Sequence, residues 1–202
     1  RPTLRERHRD AIGAALRRKL EKAEKLTLGM LLERGVEEYH AAVSEATASA
    51  EGEAKIEEAL GEMGAEWDQR SLSFEVLSEE SGAQLLVSAE VKALLGLLEE
   101  HDTQTRAMAA SRYAKPMQAD VAKWQKELGD LRRLLSSWLT LQQEWQYYTQ
   151  IFSSASLKEQ ISDAAASFET VDRWIQKIVR AAIREPKARL VGEALRKAAN
   201  AE

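Results

Sequence analysis

Cysteine is absent from this 202-residue chain, and proline and glycine are scarce, with 3 and 10 copies. Without cysteine the chain can form no disulfide, no thiolate nucleophile and no cysteine-based metal site. Few Pro and Gly residues leave little to interrupt helices. The hydrophobic residues make up 44% and the charged residues 31%, a globular rather than a disordered composition. No apolar run approaches the ~20 residues of a membrane-spanning helix, so no membrane partner is predicted.

A large excess of charge of one sign is also lacking, because the formal net charge is −4. Nucleic acid is therefore not predicted as a partner, since neutralising phosphates requires a clustered Lys/Arg surface. The stretch from Arg1 to Lys25 is locally basic, but its acidic residues and its lack of aromatic rings favour a solvated helix face. The chain begins at Arg1-Pro2 without Met or a signal-peptide pattern, so we expect it to be a piece of a longer protein.

Hydrophobic spacing predicts helices in the first third of the chain. A first helix is predicted over residues 4–20 and a second over 28–48, capped by Thr27. The stretch 44–53, which contains Ala, Ser, Glu and Gly, is predicted to be a turn. A third helix follows, because apolar residues then recur at steps of three and four: Ile56, Leu60, Met63 and Trp67.

The hydrophobic period then changes to two, which is typical of strands. Apolar residues alternate with polar ones from Leu72, and they resume beyond a Ser-Glu-Glu-Ser-Gly loop. This pattern predicts a β-hairpin at about residues 72–88. Because an isolated hairpin is marginal in water, we expect it to dock on the helices or on a partner. The candidate docking residues are Phe74, Val76, Leu85 and Val87.

The strongest pattern follows Pro116, where apolar residues recur at nearly heptad spacing. It predicts one helix of about 30 residues, ~45 Å long, packed along its length against neighbours. A later amphipathic helix, starting near Asp163, is expected to close over it. We therefore predict a mainly α fold, an elongated bundle of long amphipathic helices with one small β-hairpin. The predicted structural core is Trp124, Leu128, Leu131, Leu135, Trp138, Trp145, Tyr148, Phe152, Phe168, Val171 and Ile175.

No pattern predicts a catalytic, cofactor-binding or metal-binding residue. No Gly precedes Lys as in a phosphate-binding loop, and the histidines His8, His40 and His101 are far apart in the sequence. His101 follows Leu94 and Leu98 by one helical step, which indicates a histidine at the core edge that bonds a neighbouring helix. The carboxylates are scattered over predicted solvent faces. We therefore predict that this segment is not itself an enzyme.

Two stretches carry motifs that are more specific than a generic amphipathic helix. The first, Leu97 to Pro116, carries a Leu-rich helix end, a Thr-Gln-Thr-Arg-Ala-Met run and Ser-Arg-Tyr-Ala-Lys-Pro. The second, Val121 to Ile178, carries Trp-Gln-Lys-Glu-Leu, two tryptophans seven residues apart followed by Tyr-Tyr, and Ile-Phe-Ser-Ser. Both stretches resemble the linker of dynein heavy chains, and the likeness covers nearly the whole chain, although residues 148–150 and 161–163 lack the prolines usual in the family. The Thr-Gln-Thr and Lys-Pro features resemble axonemal, inner-arm-like heavy chains.

The resemblance implies a mechanical role in microtubule-based motility. In dyneins the linker lies across the AAA+ ring and bends and straightens as ATP is bound and released, which moves the tail relative to the stalk. The implied partners are the AAA+ ring and the tail of the same heavy chain, with intermediate and light chains and microtubules as indirect partners. No cofactor is expected in this segment, because ATP and Mg belong to AAA+ modules absent from the chain. The implied localisation is the cytoplasm and cytoskeleton, in the axoneme of a cilium or flagellum.

Under this interpretation the chain divides into three consecutive subdomains. Residues 1–50 form the helices at the start of the linker, residues 51–112 a helix, the hairpin and another helix, and residues 113–202 the long Trp-rich helix and those that follow. One alternative is a static helical scaffold or spectrin-like interaction module, which would have no use for the hairpin. Another is a small helical enzyme, which would require a polar pocket.

Overall fold

The structure, a computed structural model, describes residues 4–15, 29, 40–78 and 82–200. Contacts between these residues divide the chain into two compact units. Unit 1 is the described part of Arg1–Glu62 together with Met108–Val121, and unit 2 is the described part of Met63–Ala107 and Ala122–Glu202. The two units interleave along the chain, whereas the three subdomains predicted from the sequence follow one another.

The described elements are mainly helical, with one antiparallel pair of strands. The prediction of a mainly α fold with one small β-hairpin is therefore confirmed, and the long helix after Pro116 is present with 35 residues. The helices are α1 (Glu6–Ala15), α2 (His40–Gln69), α3 (Ser88–Ala110), α4 (Gln118–Phe152), α5 (Ala155–Gln160), α6 (Ser162–Arg184) and α7 (Val191–Asn200), with a 3-10 helix at Arg112–Met117; the strands are β1 (Phe74–Ser78) and β2 (Ala83–Leu86).

The turn predicted at residues 44–53 is wrong, because α2 runs through this stretch without a break. Its many alanines favour the helix. The Thr47 hydroxyl donates to the carbonyl of Val43 at 2.8 Å, and the Ser49 hydroxyl donates to the Glu53 carboxylate at 3.4 Å. The polar side chains that suggested a turn therefore bond within the helix. Most of the helix predicted at 28–48, with its cap Thr27, lies outside the described residues.

In unit 1 the 3-10 helix packs closely on α2 at Gly52. A Cβ atom placed on Gly52 would overlap the ring of Tyr113, so this ring occupies the space of a side chain. Tyr113 in turn covers the apolar cluster of the unit. The buried members of that cluster are Ile56, Ala114, Met117 and Val121.

Helix α1 is attached to α2 by charged side chains around Glu53, which is 6% exposed. Arg7 Nε donates to the Glu53 carboxylate at 3.0 Å, and His8 Nε2 lies 2.9 Å from the same oxygen. The backbone N–H of Arg5 donates to His8 Nδ1, so the proton of a neutral ring is on Nε2, the nitrogen that lies beside Glu53. Burial raises the pKa of Glu53, but the hydrogen bonds from Arg7 and the attraction of the nearby His8 outweigh it and hold the pKa below its ordinary value.

In unit 2 the two strands pair with Phe74 opposite Leu86 and Val76 opposite Gln84. The residue directly before β2 is Gly82, whose φ of 62° is a conformation that favours glycine. The chain between α6 and α7 adds a short bridge to the segment before β1: the Leu72 N–H donates to the carbonyl of Pro186 at 2.7 Å and the Ala188 N–H to that of Arg70 at 3.0 Å. Residues more than 110 positions apart are thus joined backbone to backbone.

The close approach at Gly52 predicts opposite effects for two Gly→Ala changes in α2. Gly52→Ala forces the Tyr113 ring to move and should lower the free energy of unfolding by about 1–3 kcal/mol. Gly61→Ala, whose new Cβ atom would meet no neighbouring side chain within 4 Å, should instead raise it by about 0.5–1 kcal/mol through helix propensity. Urea unfolding of the two variants measures both effects, and equal stability would contradict the described packing.

The lowered pKa of Glu53 predicts a loss of stability in acid. The ionised carboxylate stabilises the fold above its unfolded pKa, near 4.5, and this contribution disappears as the pH falls through the lower folded pKa. Between pH 6 and 3 we expect the melting temperature of Glu53→Gln to fall less steeply than that of the unchanged chain. Glu58→Gln, at an exposed position of the same helix, is the control and should leave the slope unchanged. Parallel curves for all three proteins would refute the role of Glu53.

Candidate functional site: the buried face of the long helix

One face of α4 carries most of the residues predicted for the core. The buried residues recur at helical spacing over about seven turns, and each is at most 7% exposed: Leu128, Leu135, Trp138, Trp145 and Phe152. Trp124 and Leu131 are half-buried on the same helix. Within unit 2, α4 is therefore packed along most of its length.

Two residues predicted for the core, Tyr148 and Val171, are each 46% exposed. They border the contact between α4 and α6, in which Phe168 stacks on Phe152 with ring centroids 5.0 Å apart. Ile175, also predicted for the core, is buried at 5% exposure. The apolar stripes on the two helices are wider than the contact between them, so the outer residues of each stripe remain accessible.

Trp145 joins α4 to α6 through its indole nitrogen. Trp145 Nε1 donates to Asp172 Oδ1 at 2.8 Å, and Gln176 Nε2 donates to the other oxygen of the same carboxylate at 2.9 Å. Trp145 is only 3% exposed, so its N–H requires a partner within the protein. The contact fixes the rotation of α6 about its own axis as well as its distance from α4.

Gln142 attaches α4 to the hairpin. It is not among the core residues predicted from the sequence. Its side-chain amide accepts from the N–H of Leu86 at 2.8 Å and donates to the carbonyl of Leu86 at 3.0 Å. The amide thus replaces a neighbouring strand at the outer edge of β2. The sequence does carry a signal, because the seven-residue step from Trp138 to Trp145 leaves Gln142 as a polar residue in the apolar stripe.

Trp67 and His101 join α2 to α3 within unit 2. Trp67 Nε1 donates to His101 Nδ1 at 2.9 Å, and the two rings meet edge to face. Both residues are buried, at 1% and 5% exposure. The sequence-based interpretation of His101 as a histidine that bonds a neighbouring helix is confirmed.

Arg189 joins three parts of unit 2 at the start of α4. Its guanidinium donates to Asp68 at 2.6 Å and to Glu127 at 3.1 Å, and it lies over the Trp124 ring, 4.8 Å from the centroid. Burial lowers the pKa of Arg189, but the hydrogen bonds to the two carboxylates outweigh it and raise the pKa. One face of the Trp124 ring is therefore covered by a cation.

The candidate docking residues of the hairpin are divided between core and surface. Leu85 is buried at 4% exposure, and Phe74 is half-buried with its ring 6.3 Å from that of Trp138. Val87 is half-buried, whereas Val76 is 57% exposed. A register shift between Val76 and Ser78 interrupts the strand pairing there. The hairpin is thus anchored by Phe74 and by the buried residues of β2, whereas Val76 and Leu77 of β1 are exposed.

Among the described residues, no group of three or more His, Asp or Glu side chains is placed to hold a metal ion. No helix in the described ranges combines the length and the apolar character needed to cross a membrane. The arrangement along α4 consists of packing contacts and hydrogen bonds that fix helices and a hairpin to one another. Such an arrangement can transmit force and displacement between its ends.

Comparison with known proteins gives one consistent family. The family described as dynein heavy chain, N-terminal region 2, matches residues 1–199. The chain is 29% identical over 188 residues to the human dynein axonemal heavy chain 6, covering 93% of this chain, and 29% identical over 180 residues to the rat dynein axonemal heavy chain 1, covering 89%. It is 28% identical over 182 residues to the flagellar outer arm dynein gamma chain of Chlamydomonas reinhardtii, covering 90%. The chain spans about 4% of the length of these three relatives.

The Gln142 contact predicts that the hairpin depends on α4. Gln142→Leu leaves the buried N–H and C=O of Leu86 without partners, and we expect a loss of about 2–6 kcal/mol in stability, since each of the two unpaired groups costs ~1–3 kcal/mol. Hydrogen exchange of the Leu86 amide should become faster. Gln143→Leu, at the exposed neighbouring position, is the matched control and should change stability by less than about 0.5 kcal/mol. The same hydrogen-exchange rate at the Leu86 amide in both variants would show that Gln142 does not hold the hairpin in place.

Proposed function

Because the chain belongs to the dynein heavy chain family, as its N-terminal region 2, we propose that it is a mechanical linker segment of a dynein heavy chain. In this role it transmits the ATP-driven conformational change of the AAA+ ring to the tail. The observation that carries the proposal is the attachment of α4 to its neighbours at successive points of one face, from Arg189 at Trp124 to Phe168 at Phe152.

A lever must keep its shape under load, and the buried face of α4 meets that requirement in two ways. Close packing has low compressibility and passes strain on rather than absorbing it. The hydrogen bonds between Gln142 and Leu86 and between Trp145 and Asp172 also resist sliding, because each has a direction and a length to maintain. Helix α4 is about 50 Å long, at ~1.5 Å per residue, so a rigid α4 can carry a displacement over that distance.

Dynein heavy chains are motor ATPases, and this chain supplies only a small part of one. We place the ATP and Mg sites in AAA+ modules outside this segment, so that the segment itself is not catalytic. Its partners are then the AAA+ ring and the tail of the same heavy chain, with intermediate chains, light chains and microtubules reached indirectly. The relatives are axonemal and flagellar proteins, and they support the axoneme, a cytoskeletal structure of cilia and flagella, as the localisation.

The alternative is a static helical scaffold within the dynein complex, which binds partners without moving. The two roles differ in what they require of the hairpin. A static scaffold gains nothing from a hairpin fixed to α4 at Gln142 with Val76 and Leu77 exposed, whereas a lever can use these two residues as a contact point. We therefore favour the lever.

The proposal predicts that loosening the α4–α6 contact uncouples chemistry from movement. In a full-length motor, Trp145→Ala removes a buried ring, at a cost of ~3–5 kcal/mol, and should slow microtubule gliding while ATP turnover continues. Trp145→Phe, which keeps most of the ring but loses the bond to Asp172, should have an intermediate effect. Trp174→Ala, at a ring that is 46% exposed, is the control. Normal gliding of Trp145→Ala at normal expression would count against the lever.

A further inference from the structure

Helices α4 and α6 border an apolar groove of about 500 Å³ in unit 2. We call it the α4–α6 groove; its walls include Leu141, Tyr148 and Phe152 of α4 and Phe168, Val171 and Ile175 of α6. The pairing of the two helices does not fill it, since Tyr148 and Val171 remain 46% exposed. Accessible apolar surface of this kind marks an interaction site.

The walls of the groove have the spacing of a helix-binding surface. Leu141, Tyr148 and Phe152 step by seven and four along α4, and the three residues of α6 step by three and four. Two antiparallel or parallel helices with such stripes leave holes into which the side chains of a third helix fit. A small-molecule site would instead need several converging polar groups, and the only charged side chain in the lining, among the described residues, is Glu144.

Glu144 adds a charge requirement for the occupant. Its side chain is exposed at the rim of the groove, and it forms no ion pair with another described residue. A helix that covered the groove would bring its own side chains against this carboxylate and remove water from it. Burying an unpaired charge is costly, so a Lys or Arg is needed opposite Glu144.

We propose that the α4–α6 groove binds an amphipathic helix of the same dynein heavy chain, from a segment outside these residues. The helix places apolar residues at i, i+3, i+4 and i+7 in the groove and a Lys or Arg opposite Glu144. The source is the same polypeptide because this chain spans about 4% of its relatives, and a tethered segment can reach an effective concentration in about the millimolar range. The proposal depends on family membership and goes beyond the lever role.

Photocrosslinking in the full-length heavy chain tests the proposal. Val171→p-benzoylphenylalanine places a reactive group in the groove, and Arg173→p-benzoylphenylalanine, at an exposed position on the opposite face of α6, is the control. In a mixture of differently tagged heavy chains, we expect Val171 to crosslink within its own chain, to one segment with an apolar heptad stripe and a basic residue. A crosslink to a second copy or to another subunit, or no crosslink above the level of the control, would overturn the proposal.

A charge exchange then tests the role of Glu144. Glu144→Lys should lower the crosslink yield about two- to five-fold, as expected for a charge pair at the partly solvated rim of the groove worth up to ~1 kcal/mol, and replacing the facing basic residue by Glu should restore it. Gln143→Lys adds the same charge at the exposed position next to the groove and should leave the yield unchanged. A yield that is the same in Glu144→Lys and Gln143→Lys would overturn the assignment of a basic residue to the helix. Because neither measurement involves ATP turnover or gliding, both can fail or succeed independently of the lever.

Discussion

Unit 2 depends on the requirement that every polar group taken into its core must find a partner there. A buried donor or acceptor left unpaired costs ~1–3 kcal/mol, a large fraction of the stability of a domain. The indole of Trp145 is paired by α6, the amide of Gln142 by β2, and the indole of Trp67 by α3. Because these partners belong to different elements, the polar contacts set the orientation of each element, while the leucines and the aromatic rings supply the bulk of the packing.

This combination of apolar packing and directed hydrogen bonds is what the proposed lever role requires. Apolar packing alone tolerates sliding between helices, since one methyl group can replace another at little cost. A hydrogen bond between Trp145 and Asp172, or between Gln142 and the backbone of Leu86, is lost after a displacement of about an ångström. The buried face of α4 therefore resists small shear movements, and the accessible groove beside it leaves room for a further element to bind without disturbing these contacts.

The spacing of the apolar residues predicts the type of an element and the face that it buries. The long helix, the hairpin and the inward face bearing Leu128, Leu135 and Trp138 follow from spacing alone. The turn predicted at 44–53 from its Ala, Ser, Glu and Gly residues is wrong, because these residues are compatible with a helix in which the Ser49 hydroxyl bonds to Glu53. Tyr148 and Val171 are predicted in the core but are exposed. An apolar stripe shows which way a side chain points, but not how much of the stripe the neighbouring helix covers.

The partners of buried polar groups could not be predicted, since they depend on which distant segments meet. Glu53 lies 46 residues from Arg7, and Arg189 lies 62 residues from Glu127. Local spacing contains no information on such pairs. His101 was the exception, because its place after Leu94 and Leu98 indicated a buried face with a neighbouring helix.

The hydrogen bonds between Gln142 and Leu86 affect the order in which the chain folds. The two residues are 56 positions apart, so the hairpin must wait for α4 to be made and docked before its outer edge is satisfied. Closing a loop of that length lowers the entropy of the chain before the hydrogen bonds form, and such non-local contacts slow folding. During synthesis on the ribosome, β1 and β2 emerge before Gln142, and until then the free strand edge is exposed to other nascent chains.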